Sequence, residues 1–195
     1  MKVFKFGGAS VKDASGVKNL LSVLEKVGYK NTLVVVSAMA KTTNALEKII
    51  EVYFDNKQNI NKYLLELEGF HLKIVDELLD NQAIKLSKLV HDYFEELKIF
   101  FKNNKVPNYS FVYDRVVCYG ELLSTTIIHH YLESQGRKSF WLDARECIKT
   151  DDYYRSANLN WEQTQSSINS KVKGHQFIIT QGFIGSNTNN FTTTL

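Results

Sequence analysis

Cysteine is scarce in this chain of 195 residues, with two in all, Cys118 and Cys147. They are far apart and lack C-x-x-C spacing, so neither a disulfide framework nor a zinc site is expected, and a reducing cytoplasm is the expected location. Charge of one sign is also lacking. The 24 Lys and Arg against 21 Asp and Glu leave a net charge of +3, dispersed along the chain, which argues against a nucleic acid or other polyanion as partner. No apolar run approaches the ~20 residues a membrane span needs, and the N-terminus enters a strand pattern without a positive, long-apolar leader, so no membrane association is expected. The one proline, Pro107, breaks a helical run. Two nucleotide signatures are missing as well: there is no G-x-x-x-x-G-K-[ST] and no G-x-G-x-x-G. A dinucleotide site would also want an acidic residue at the end of the second strand, where Ser37-Ala38 stands instead, and this disfavours a nicotinamide-dependent oxidoreductase.

The composition that remains, 44% apolar and 23% charged, suits one globular domain, or one and part of a second. Its organising stretch is Lys2 to Ser10. Val3, Phe4 and Phe6 read as a short buried strand, after which Gly7 and Gly8 allow a sharp turn and close approach to a ligand. Ser10 or Asp13 can cap a following helix whose apolar positions are Val17, Leu20, Leu21, Leu24 and Val27. A strand, a glycine turn and a helix N-terminus in sequence suit an anion, and Lys5 adds an ammonium near the same point.

A second strand, Thr32 to Val36, leads into a small polar loop, Ser37 to Asn44, and a helix from Ala45 to Tyr53. Loops beyond the carboxyl ends of strands in an open α/β sheet share one crevice, so this loop and the Gly7-Gly8 turn should lie side by side. Residues 59–104 carry two amphipathic helices with no strand between them. The second shows Leu86, Leu89, Val90, Tyr93, Phe94, Leu97, Phe100 and Phe101 at helical spacing. His71 and His91 on these helices read as core or surface residues rather than metal ligands. The helical pattern resumes from Ser110 to Gly136. Within it Glu121 has apolar or small neighbours and needs a partner for its carboxylate. A third core strand is expected over Ser139 to Leu142, a helix over Asn160 to Lys171, and a fourth core strand from His175 ending in a glycine turn near Ser186.

Lys5-Phe6-Gly7-Gly8-Ala9-Ser10 resembles the K-F-G-G-[TS]-S opening of aspartokinases, members of the amino acid kinase family. Ala9 departs from the Thr common there, and position 9 is left out of the site. Ser37-Ala38 followed by Thr43-Asn44 and Leu46 is similar to the family's S-A-x-x-x-x-T-N-x-L loop, Gly120-Glu121 with Ser124 to its G-E-x-x-S, and the stretch from Gln181 to Leu195 to its G-F-I-G and T-T-T-L run. Asp143-Ala144-Arg145 and Thr150-Asp151 also have counterparts, as groups that line the crevice or pack.

The resemblance implies an α/β fold, with a mostly parallel sheet and helices on both faces in a three-layer sandwich, carrying residues 59–104 as a helical insertion. It implies transfer of the ATP γ-phosphoryl group, with Mg²⁺, to the side-chain carboxylate of L-aspartate. Lys5, Gly7, Gly8 and Ser10 would hold phosphate, with Lys5 catalytic, and Ser37, Thr43 and Glu121 would hold aspartate; no residue is assigned to metal. The family's G-R-G-G-S-D run, nucleotide-binding half and ACT domains lie beyond T-T-T-L. The chain is therefore expected to be the N-terminal portion of a catalytic domain, inactive alone, and prone to form a homo-oligomer through an unpartnered last strand. Two alternatives are a kinase for glutamate or acetylglutamate, and a non-catalytic module for aspartate binding or assembly.

Overall fold

A computed structural model describes residues 1–55, 59–79 and 83–195. Four strands form a parallel sheet in the order β1-β2-β4-β3: β1 (Lys2–Phe6), β2 (Thr32–Val36), β3 (Phe140–Leu142) and β4 (Phe177–Gln181). Phe6, Val36 and Gln181 are register partners, so three strands end at one level and their outgoing loops meet at one edge. That edge is where ligands of open α/β sheets bind.

The expectation of a buried first strand is corrected. β1 is the edge strand; Val3 is 66% exposed and Phe4 and Phe6 are only half-buried. An edge strand keeps one flank unpaired, and here one of its faces is open too. The expected fourth strand is split. β4 stops at Gln181, and after Gly182 and Phe183 the chain starts β5 (Ile184–Ser186), which pairs antiparallel with β6 (Thr192–Thr194) in a separate two-stranded sheet. Phe183 takes φ 68, a left-handed conformation that turns the backbone out of the first sheet.

Helices cover both faces, unequally. On one face Phe4, Phe6, Val34, Val36 and Ile179 join a core with α1 (Ala14–Val27), α2 (Thr42–Asp55) and α5 (Tyr109–Ser134). On the other, Leu142 and Ile178, flanked by Leu33 and Phe140, pack on Cys147 of α6 (Ala144–Cys147) and on Ile168 of α7 (Trp161–Lys171). Asp13, not Ser10, caps α1, accepting from the Gly16 amide at 2.8 Å, and Asn108 caps α5, accepting from Phe111 at 2.9 Å.

Residues 59–104 are the expected helical hairpin, α3 (Ile60–Leu79) and α4 (Ile84–Asn103), which packs on α1, α2 and α5. Between the two helices the buried Glu68 accepts from Nδ1 of His91 at 2.7 Å, with Lys98 at 3.8 Å, so its charge is matched. α5 is the central element. From Val112 to Ile128 every residue except Arg115 is buried, because the helix is wedged between the sheet and the hairpin.

Candidate functional site

The crevice is built around Ala38. The Gly8 carbonyl accepts from the Ala40 amide at 3.1 Å and the Phe6 carbonyl from the Ser37 amide at 3.1 Å, which lays the glycine turn along the Ser37–Lys41 loop. A Cβ on Gly8 would lie 2.4 Å from the Ala38 carbonyl oxygen and 3.2 Å from that of Ala40. Gly8 therefore has no room for a side chain, whereas a Cβ on Gly7 would meet nothing within 4 Å. On its other side, Ala38 presents its Cβ to Gly120 of α5, where an added Cβ would come within 2.9 Å. Its amide donates to Oε1 of Glu121 at 3.2 Å. One short residue thus touches the turn, the helix and the carboxylate. Ala40 at φ 48 and Phe183 at φ 68 place left-handed backbone in two of the three loops that leave this edge.

Glu121 is 3% exposed, and among the described residues its second oxygen, Oε2, has no hydrogen-bond partner. Burial pushes its carboxyl up to about 7, against the opposing pull of the Ala38 amide. A buried acceptor left open beside a ligand crevice asks for a donor, and a cation satisfies it best. One turn on, the hydroxyl of the fully buried Ser124 is also unpartnered among the described residues.

The expected site residues divide. Ser37, Gly8 and Glu121 come together through the bonds above, and Thr43 is half-buried in the first turn of α2, at the end of the same loop. Lys5 is exposed on the β1 face that it shares with Val3, one strand position before the turn. Gly7 is exposed and its carbonyl accepts from the Ser10 amide at 2.9 Å. Ser10 is exposed and packs over the first turn of α1, where a Cβ on Gly16 would lie 2.6 Å from its carbonyl. Among the described residues no hydrogen bond joins Ser10 to the 37–43 loop.

Arg145 and Asp151 have local partners. Asp143 caps α6 and grips the Arg145 guanidinium through Nε at 3.0 Å and Nη2 at 2.6 Å. Asp151 accepts from the Tyr153 and Asn158 amides and from the Asn158 side chain, ordering a loop. The residues that hold the crevice from behind were not singled out in the sequence. Thr125 Oγ1 donates to the Glu121 carbonyl at 2.8 Å and accepts from Trp141 Nε1 at 3.0 Å and Gln181 Nε2 at 2.7 Å, while Gln181 Oε1 accepts from the Ala144 amide. Asp114, fully buried, accepts from the Thr194 amide and hydroxyl and from the Arg155 amide. An aspartate amid Val112, Val116 and Val117 was the available signal.

The model of the amino acid kinase family matches residues 1–194. The chain belongs to the amino acid kinase family. Among its curated relatives, the aspartokinase of Chlamydia pneumoniae is 28% identical over 185 residues, which cover 95% of this chain and 39% of that protein. Aspartokinase 1, chloroplastic, of Arabidopsis thaliana is 32% identical over 159 residues, 77% of this chain and 27% of the relative. Among solved structures, E. coli aspartokinase III in complex with lysine and aspartate superposes with a TM-score of 0.89 at 25% identity, over all of this chain and 43% of that one. The fold is thus that of an aspartokinase over the residues compared, and the chain spans well under half the length of these relatives.

Proposed function

We propose that the chain is the amino-acid-binding part of an aspartokinase, which transfers the γ-phosphoryl group of ATP to the side-chain carboxylate of L-aspartate. The observation that carries this reading is Oε2 of Glu121, buried and, among the described residues, without a partner at the carboxyl edge of the sheet. An α-ammonium group completes it. Ser37 and Thr43, at the two ends of the loop that holds Glu121 through Ala38, then face the same amino acid with hydroxyl groups. An N-acetylated acid has no ammonium and leaves the carboxylate buried and unpaired, which disfavours acetylglutamate.

Phosphoryl transfer asks mainly for in-line positioning and for neutralisation of charge on the moving oxygens. Lys5 is assigned that charge, and the Gly7-Gly8 turn and Ser10 the phosphate oxygens; a donor of this kind contributes about 2.7–4 kcal/mol in the transition state. Among the described residues no group of three His, Cys, Asp or Glu side chains could hold a metal. Mg²⁺ is implied by the phosphoryl-transfer chemistry. The adenine site and regulatory domains are assigned to no residue of this chain, and its assembly into a homo-oligomer remains part of the proposal.

The test is ATP-dependent aspartyl hydroxamate formation by the chain, alone and within its full reading frame, with glutamate and acetylglutamate as competing acceptors. Lys5→Ala is expected to lower kcat far more than it raises KM for aspartate, and Glu121→Ala to do the reverse. The opposite ranking, or preference for another acceptor, overturns the assignment.

A further inference from the structure

Thr42 stands between the candidate pocket and the helical hairpin. It opens α2, is 1% exposed, and its Cγ2 lies 3.4 Å from where a Cβ on Gly120 would be. Its hydroxyl is 3.4 Å from Nε2 of His71, on α3. His71 is fully buried, and its Nδ1 is 2.8 Å from the Leu67 carbonyl. A carbonyl can only accept, so Nδ1 carries the ring proton and Nε2 keeps its lone pair. The Thr42 hydroxyl is therefore the donor of this pair. Phe70, edge-on at 5.0 Å between ring centres, and Phe94 at 6.0 Å flank the imidazole with apolar walls. Such a site admits an aliphatic side chain on packing grounds alone; an imidazole there supplies one acceptor with a fixed direction.

We propose that His71 is a positioning residue of the candidate pocket. Its Nε2 holds the Thr42 hydroxyl, and through it sets the first turn of α2, Thr43 and the Ser37–Lys41 loop against Gly120 and Glu121. The hairpin of residues 59–104 thereby becomes part of the pocket's support. The substrate side of this inference rests on the reading of that loop under the proposed function, while its structural side does not.

Nitrogen-15 NMR of the 195-residue chain is the test. Long-range spectra of the His71 ring are expected to show a protonated Nδ1 and a bare Nε2. Thr42→Val keeps the shape and deletes the donor; it is expected to speed exchange of the Ala38 amide about tenfold. His71→Phe is expected to do the same, and the double variant no more than either alone, the mark of a shared interaction. Should His71→Phe fail to fold, Thr42→Val with His71→Gln closes the same cycle. A proton on Nε2, unchanged Ala38 exchange in Thr42→Val, or additive effects in the double variant overturns the proposal. In the full-length enzyme Thr42→Val is expected to raise KM for aspartate several-fold with a smaller change in kcat. If the enzyme accepts another acid instead, the aspartate reading fails while the exchange and tautomer results still decide the role of His71.

Discussion

Glu121 combines two demands that pull in opposite directions. Burial raises its folded carboxyl to about 7 from an ordinary 4.5, so the ionised form is disfavoured in the empty protein. A group raised in the folded state contributes full stability below its unfolded value and loses it as pH rises through the folded one. The cost of Glu121 therefore develops between about pH 4.5 and 7 and is complete above, roughly 3 kcal/mol at most from the size of the shift. Glu121→Gln is expected to raise the thermal midpoint at pH 8, to change it little near pH 4.5, and to abolish aspartate binding. Thermal melts at the two pH values, beside calorimetric titration with aspartate, check the trade. An ammonium ligand prefers the ionised carboxylate, so in the unsubstituted protein aspartate affinity should fall as pH drops below about 7.

The two glycines of the turn offer a second contrast at this scale. Gly8→Ala puts a Cβ 2.4 Å from the Ala38 carbonyl and must shift backbone, whereas Gly7→Ala enters open space. The first is expected to destabilise by about 1–3 kcal/mol and to disrupt the pocket, the second to fold normally. Chemical denaturation of both variants decides this. The sequence showed two adjacent glycines and a reason for flexibility; which of them is sterically required depends on a carbonyl thirty residues away, in a loop whose path no local pattern specifies.

Elements with strong periodicity were legible and those defined by tertiary partners were not. α3 and α4 follow their apolar stripes, and α5 and α7 start at the side-chain caps Asn108 and Asn160. β1 was misjudged as buried because three apolar side chains look alike in an edge strand and a central one; only its position at the end of the sheet order separates them. The stretch from His175 to Ser186 read as one strand, yet the left-handed Phe183 divides it. Asp114 explains how the resulting hairpin is held: three donors from Thr194 and Arg155 converge on one carboxylate at the buried face of α5. Asp114→Ala leaves those donors without an acceptor and is expected to cost about 3 kcal/mol or more, with loss of order at β5 and β6 ahead of the rest. Urea unfolding, together with amide exchange at Thr194, measures both.

For the molecule as a whole, the buried His71 adds to acid sensitivity, as do His129 and His130, which burial also draws down. Burial draws its imidazole down to about 4 from an ordinary 6.5, so the unfolded chain takes up a proton that the folded chain refuses. That stability is fully present above about pH 6.5 and is lost as pH falls toward 4, a change of roughly 3 kcal/mol in the direction opposite to that of Glu121. His71→Phe is expected to flatten the stability curve between pH 6.5 and 4, which pH-dependent urea midpoints would reveal.

The bond from Ala38 to Glu121 spans 83 residues, and the bonds from Thr194 to Asp114 span 80. Closing loops of that length is slow compared with forming a helix or the hairpin of α3 and α4, because the chain entropy is lost before the contact forms. The pocket is consequently among the last parts of the protein to assemble, and a nascent chain cannot begin to build it until α5 has been synthesised.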